Sequence, residues 1–227
     1  MKDDRDMRDE TKVWDEWIRI GERLRARPGF APLTPEHVWH PGLDREIAAL
    51  PADGPAGADA GTEATGARQR SEAARALKAA FHLWNDHLQA AHDLVAHASD
   101  PTSFALHGVM HRREGDYDNA KYWFRRTGGH PAFHGLQARA AAILERRRRE
   151  DRWRGGPVAS ALETLANQGA WNPYLFVDAV AMQERRIGGE ETRAALEEVQ
   201  HEELMALIRH LAGRLGLRRN GAAWCDK

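Results

Sequence analysis

The stretch SFALHGVMHRREGDYDNAKYWFRR, residues 103 to 126, decides how this chain is read. Its first half, Ser103 to Glu114, has a helical pattern that ends at Gly115-Asp116. Its second half begins a helix that runs from Asp118 to Thr127 and stops at Gly128-Gly129. Two helices joined by so short a turn fold back as an antiparallel hairpin. His107 and His111 stand one helical turn apart, with Glu114 one turn further on, so the three share a face. That face should be the apolar, inward one. Imidazoles then occupy two positions where leucine would pack better.

The pattern extends outward from this hairpin. Ala, Leu, Glu and Arg dominate, β-branched residues are sparse, and no segment alternates with period two. The expected class is all-α, built of antiparallel helical hairpins. Trp14, Trp17, Ile18, Gly21 and Leu24 form a stripe on a first helix that ends at Arg27-Pro28-Gly29. Thr34-Pro35-Glu36-His37 reads as the capped start of a short second helix. Pro51 to Ala67, rich in Gly, Ala, Pro and Thr, reads as a flexible loop. Ser71 to Ala98 is helical with a break near Asn85-Asp86, and Asp100-Pro101 opens the helix that carries the two histidines. Further helices are expected over Ala132 to Asp151, Val158 to Ala166, Asn172-Pro173 through Arg186, and Glu190 to Leu215. The domain reading is therefore N-terminal helices (1–50) packing on the main body, a loop (51–67), a helical core (68–215) and a C-terminal tail (216–227).

Composition sets bounds on function. The chain has 227 residues, 42% hydrophobic and 30% charged, which suits an ordinary globular core. A net charge of -1 argues against a protein that relies on bulk attraction to nucleic acid. The single cysteine, Cys225, excludes a disulfide framework or a cysteine zinc cluster within the chain. No apolar run is long enough for a membrane span, and the charged start MKDDRD does not resemble a signal peptide, so a cytoplasmic protein is expected.

An internal echo runs through the centre. Asp86, Ala90, Leu94 and Pro101 recur 30 residues later as Asp116, Ala120, Phe124 and Pro131, and Leu77 and Phe81 correspond to His107 and His111. The second unit of this echo resembles a tetratricopeptide repeat in Phe104, Gly108, Gly115-Asp116-Tyr117, Ala120, Phe124 and Pro131. His107 and His111 take slots usually held by Leu and Tyr, and the spacing is shorter than the usual ~34 residues. The resemblance covers about one and a half repeats. It implies a tetratricopeptide-like central pair of hairpins, and in longer members a concave peptide-binding groove. A wider run resembles a family of uncharacterised bacterial all-helical proteins. It spans His107 and His111-Arg112-Arg113-Glu114-Gly115-Asp116-Tyr117, then Asn119-Ala120-Lys121-Tyr122-Trp123-Phe124-Arg125-Arg126 and His130-Pro131, with Trp171-Asn172-Pro173 and Phe176-Val177-Asp178 beyond. That resemblance implies a shared helical fold and carries no reaction.

Two imidazoles and a carboxylate are the ligand set of many Fe, Mn and Zn sites, and His-x3-His presents two nitrogens from one helix. His87, His92 or Asp86 on the preceding hairpin would supply a further ligand. The metal reading thus names His107, His111, Glu114 and His87, with a divalent Fe, Mn or Zn ion as the cofactor. Read as an enzyme site, His107 and His111 are the proton carriers and Glu114 orients one of them. Arg112 and Arg126 would hold an anion through their planar forks. Tyr117, Tyr122, Trp123 and Trp84 would wall a small-molecule pocket. A plainer reading also stands: hydrogen-bonded core histidines, arginines paired with Glu114, Asp116 and Asp118, and aromatics that belong to the core. Arg146 to Arg149 sits beside Glu145, Glu150 and Asp151 and reads as a solvated charged face, and Glu202 on the last helix is an exposed residue able to add a ligand.

The function this supports is a helical protein with a His/Arg/aromatic pocket for a small anionic molecule. A metal-assisted or histidine acid-base reaction is its enzymatic form. The alternative is a non-catalytic interaction module. There a helical groove, or the Trp14/Trp17 stripe, would hold a partner helix or a second copy of the chain.

Overall fold

The structure, a computed structural model, describes residues 4–52, 64–151, 153 and 155–217. Among the described residues all regular structure is helical, which bears out the all-α class. In order the elements are α1 (Asp4–Arg25), α2 (Pro41–Ala49), α3 (Ala64–Trp84), α4 (Leu88–Val95), α5 (Pro101–Glu114) and α6 (Tyr117–Thr127). A short 3-10 turn (Pro131–Phe133) precedes α7 (Leu136–Asp151), α8 (Pro157–Ala166), α9 (Pro173–Glu184) and α10 (Glu190–Arg214). The chain forms two compact units. The first takes residues 1–28, 37–98 and 208–227, the second 29–36 and 99–207. The core expected over 68–215 is therefore divided after Ala98, and the echoing hairpins α3–α4 and α5–α6 belong to different units.

In the first unit α1, α2 and α3 pack on one another and α4 on α3. Trp17, Ile20 and Leu24 are fully buried, and the Trp17 ring meets Phe81 at 5.8 Å. Trp17 is spent on the unit's own core, while Trp14 of the same stripe is only partly buried. From Ala73 to Trp84 almost every side chain of α3 is buried, and five of them are alanines, whose small size suits a helix enclosed by close neighbours. The helix starts at Ala64, so residues 64–67 are not loop; residues 53–63 lie outside the described residues.

No helix forms at Thr34. Its hydroxyl donates to Glu184 at 2.7 Å within the second unit, so it caps nothing. The next helix waits until Pro41, where His40 is the cap and its Nδ1 accepts from the Leu43 amide at 3.0 Å. Lys78 closes the other end of α2 by donating to the carbonyls of Ala48 (2.8 Å) and Leu50 (2.7 Å). Helix α3 stops as expected at Asn85-Asp86. Asp86 adopts a left-handed backbone (φ 65°), and its buried carboxylate pairs with Arg27 at 2.7 Å. Arg27 also lies 5.0 Å from the Trp39 ring centre and donates to the Trp84 carbonyl at 3.1 Å.

In the second unit the caps follow local rules. Asp100 accepts from the amides of Thr102 (3.0 Å) and Ser103 (3.1 Å) ahead of α5, and Pro101 fills the first helical position. Asn172 does the same for Tyr174 and Leu175 ahead of α9. A core of Leu33, Leu136, Leu144, Leu162, Phe176 and Leu196 fills the unit. Helix α5 was expected to be amphipathic, but it is buried on almost every side, and its buried residues include Thr102, Ser103, His107, Arg112 and Arg113. Arg113 donates to the Pro32 carbonyl at 3.3 Å. Arg112 and Glu203 form a fully buried ion pair at 2.6 Å. The guanidinium lies 4.4 Å from the Phe176 ring centre, and Trp171 Nε1 donates to the same carboxylate at 3.2 Å. Arg112 is thus no anion holder for an outside ligand, because Glu203 already takes its charge.

A buried pair is worth little against an apolar replacement, but losing one partner strands the other charge. Arg112→Ala and Glu203→Ala should each lower the unfolding free energy by about 3–5 kcal/mol. The Arg112→Met/Glu203→Leu double variant should lose clearly less than the two single losses together. Urea denaturation of the four proteins measures this, and strictly additive losses would show that the pair is not coupled.

Candidate functional site

The α5–α6 hairpin brings most of the sequence-predicted site residues together. Gly115 ends α5 in the left-handed region (φ 84°), where a side chain would be strained, and Asp116 then caps α6 by accepting from the Asn119 amide at 3.2 Å. The tight reversal lays the two helices side by side. Gly108 lets them approach so closely that a Cβ there would stand 3.0 Å from three carbons of the Phe124 ring. Phe124 and Ala120 are buried at this seam.

Beside the seam runs a column of stacked planes. The His107 ring, 2% exposed, lies flat on Trp123, with centres 4.0 Å apart and planes 3° from parallel. His111 stacks beneath His107 at 5.2 Å and 8°. Phe104 tilts against Trp123 at 5.5 Å. The Arg126 guanidinium lies over Phe104 at 4.3 Å, over Trp123 at 5.0 Å and over Tyr122 at 5.9 Å. Helical spacing produces this order, since 104, 107 and 111 share one face of α5 while 122, 123 and 126 cluster on the facing side of α6.

At the histidine end, His111 Nδ1 meets Glu114 Oε2 at 3.1 Å, and Nε2 meets the Asn119 amide nitrogen at 3.1 Å. Both contacts are hydrogen bonds when Nδ1 is the donor and Nε2 the acceptor. At the other end, Arg126 is exposed and makes one long contact, 3.4 Å, to the Tyr122 hydroxyl. Among the described residues no carboxylate lies within ion-pair distance of Arg126. The four consecutive arginines of α7 are committed. Arg146 and Arg147 pair with Glu198, Arg148 with Glu163 and Arg149 with Glu145, in keeping with a charged face. Arg139 takes Glu202, which was considered as a ligand.

Several expected members stand elsewhere. Tyr117 packs against the second unit's apolar core, and burial raises its phenol pKa. Trp84 is a buried core residue of the first unit. His87 belongs to the first unit and has partners of its own there, and Asp86 is held by Arg27. His87 has a different companion set, which sequence reading missed. Asp44 on α2 receives His82 Nδ1 on Oδ1 at 2.9 Å and His87 Nδ1 on Oδ2 at 2.8 Å. Burial would raise the Asp44 carboxyl, but the hydrogen bonds from the two histidines outweigh it and hold the pKa below the ordinary value. Burial likewise lowers the His82 pKa against the pull of Asp44, which favours a neutral ring. The only local sign was a pair of histidines bracketing the helix stop at Asn85-Asp86. Sequence reading also missed a cavity of about 280 Å³ between α7 and α8, lined by Leu144, Leu162, Ala166 and Trp153, with Arg148 and Glu163 among its charged residues. None of the predicted site residues lines it.

The chain matches no protein-family model, no curated protein and no solved structure. No helix among the described residues is long and apolar enough to cross a membrane.

The seam at Gly108 can be tested directly. Gly108→Ala gains helix propensity but drives a methyl into the buried Phe124 ring, so a net loss of about 1–2 kcal/mol in stability is expected. Chemical denaturation reads it, and a stabilised variant would mean that the hairpin is looser than described.

Proposed function

We propose that the protein binds a small anionic molecule on the α5–α6 hairpin, with Arg126 as its charged anchor. One observation carries this reading: the Arg126 guanidinium lies over Phe104 and Trp123 with no carboxylate of the described chain in ion-pair range. A stacked guanidinium has already lost most of its rotamer freedom, so a carboxylate or phosphate that engages its fork loses less entropy on binding. The aromatic column sets the plane of the fork. His107 and His111 support it from below by stacking, and a planar ligand would extend the same stack. His111, engaged by Glu114 and Asn119, is a positioning residue in this reading.

Tyr122, 46% exposed beside Arg126, favours a second reading, in which the hairpin docks a protein segment that presents a carboxylate to the same arginine.

Thermal unfolding with a panel of citrate, inorganic phosphate, a nucleoside monophosphate and an acidic peptide separates these. At least one small anion should raise the unfolding midpoint of the wild type. Arg126→Ala should abolish that rise, and Arg126→Lys, which keeps the charge without the fork, should retain only part of it. A response to the peptide alone would select the second reading. If nothing stabilises the wild type, or Arg126→Ala responds equally, both readings fail.

A further inference from the structure

We propose that Asp44, His82 and His87 in the first unit form a binding site for a divalent transition-metal ion. None of these residues belongs to the Arg126 platform, so the two sites stand or fall separately. The argument begins with the donor set. Two imidazoles and one carboxylate suit first-row ions such as Zn2+, Fe2+ and Co2+, and such sites leave further coordination positions to water or substrate.

Distances support the assignment. One ligand atom from each of the three residues lies within 4.8 Å of the other two, and the imidazole Nδ1 atoms are 2.9 and 2.8 Å from the Asp44 oxygens. Donors about 2.1 Å from a common ion stand roughly 3 to 3.5 Å apart. The three side chains therefore need only small movements to share an ion.

The scaffold holds them near that geometry. The pair His82 and His87 closes the end of α3, where the His87 amide donates to the His82 carbonyl at 2.9 Å. That bond, with the left-handed Asp86 between them, brings two side chains five residues apart onto one carboxylate. Asp44 comes from α2, whose entry is tied to the same helix end. The His40 amide donates to Asn85 Oδ1 at 3.2 Å, Asn85 Nδ2 donates to the His40 carbonyl at 3.2 Å, and the Trp39 amide donates to the Asn85 carbonyl at 3.0 Å. A preorganised site of this kind loses little entropy on binding.

Charge and access also fit. In the ion-free protein each imidazole donates Nδ1–H to the carboxylate. For the Nδ1 lone pairs to turn to an ion, each ring must carry its hydrogen on Nε2 instead. Asp44 supplies the negative charge. Side-chain exposure rises from 3% at His82 through 16% at Asp44 to 34% at His87, so the open positions face the His87 side.

The test uses the full chain, stripped with EDTA and then titrated with Zn2+ by calorimetry and with Co2+ by visible absorption. The expected result is one ion per chain and a ligand-field spectrum with Co2+. His87→Ala, at the exposed edge of the site, should weaken binding by at least about tenfold, as should Asp44→Asn, which keeps the volume of the carboxylate. His107→Ala, His111→Ala and Arg126→Ala should bind as the wild type does. Circular dichroism checks folding, and if Asp44→Asn unfolds, His87→Ala decides alone. The proposal is overturned if neither ion binds the wild type, if His87→Ala binds unchanged, or if His107→Ala or His111→Ala loses the ion while His87→Ala keeps it.

Discussion

Arg112 and Glu203 enter the interior of the second unit together or not at all. Either charge alone would cost several kcal/mol, so the pair dictates what surrounds it. Trp171 gives its indole N–H to the carboxylate, and Phe176 lies under the guanidinium. Those two residues flank the Asn172-Pro173 cap of α9. One ion pair on α5 and α10 thereby fixes where α9 begins and which way its first turn faces. The burial of α5 follows from the same constraint. With its last turn inside, the helix must reverse at once, and Gly115 and Asp116 supply that reversal.

Two arginines of one hairpin then take opposite roles. Arg112 and Arg126 both lie over phenyl rings, at 4.4 Å from Phe176 and 4.3 Å from Phe104. Arg112 is enclosed and neutralised, and its ring contact serves packing. Arg126 is exposed, and among the described residues no carboxylate pairs with it. A cation on an aromatic face at the surface contributes about 0.5–1 kcal/mol, too little to explain the order of the whole column, which the His107–Trp123 stack shares.

Features that obey local rules were legible in the sequence. The caps at Asp100-Pro101 and Asn172-Pro173, the reversal at Gly115-Asp116 and the stop at Asn85-Asp86 each depend on residues within a turn of one another. The grouping of His107, His111, Trp123 and Arg126 was legible too, because they lie on one hairpin at helical spacing, but they were read as the wall of a pocket and their stacking was not foreseen. What failed depended on distant partners. Thr34 looks like a cap until Glu184, 150 residues away, takes its hydroxyl. Asp44 gave no sign of its histidines 38 and 43 residues on. Arg112 reads as a surface cation until Glu203 is placed beside it. Trp17 reads as a docking stripe because a helix that buries its apolar face internally looks the same as one that offers it to a partner.

The paired aspartates of the internal echo show how little a repeated letter can mean. Asp116 keeps an ordinary backbone and uses its side chain to start a helix. Asp86, thirty positions earlier, sits where glycine would rest at no steric cost, a strain of about 1 kcal/mol. It stays acidic because Arg27 has been drawn out of water beside it. At one position the amides of a helix start hold the residue; at the other a buried cation does. The shared letter at these two sites therefore has two separate causes, a helix start and a buried counter-charge.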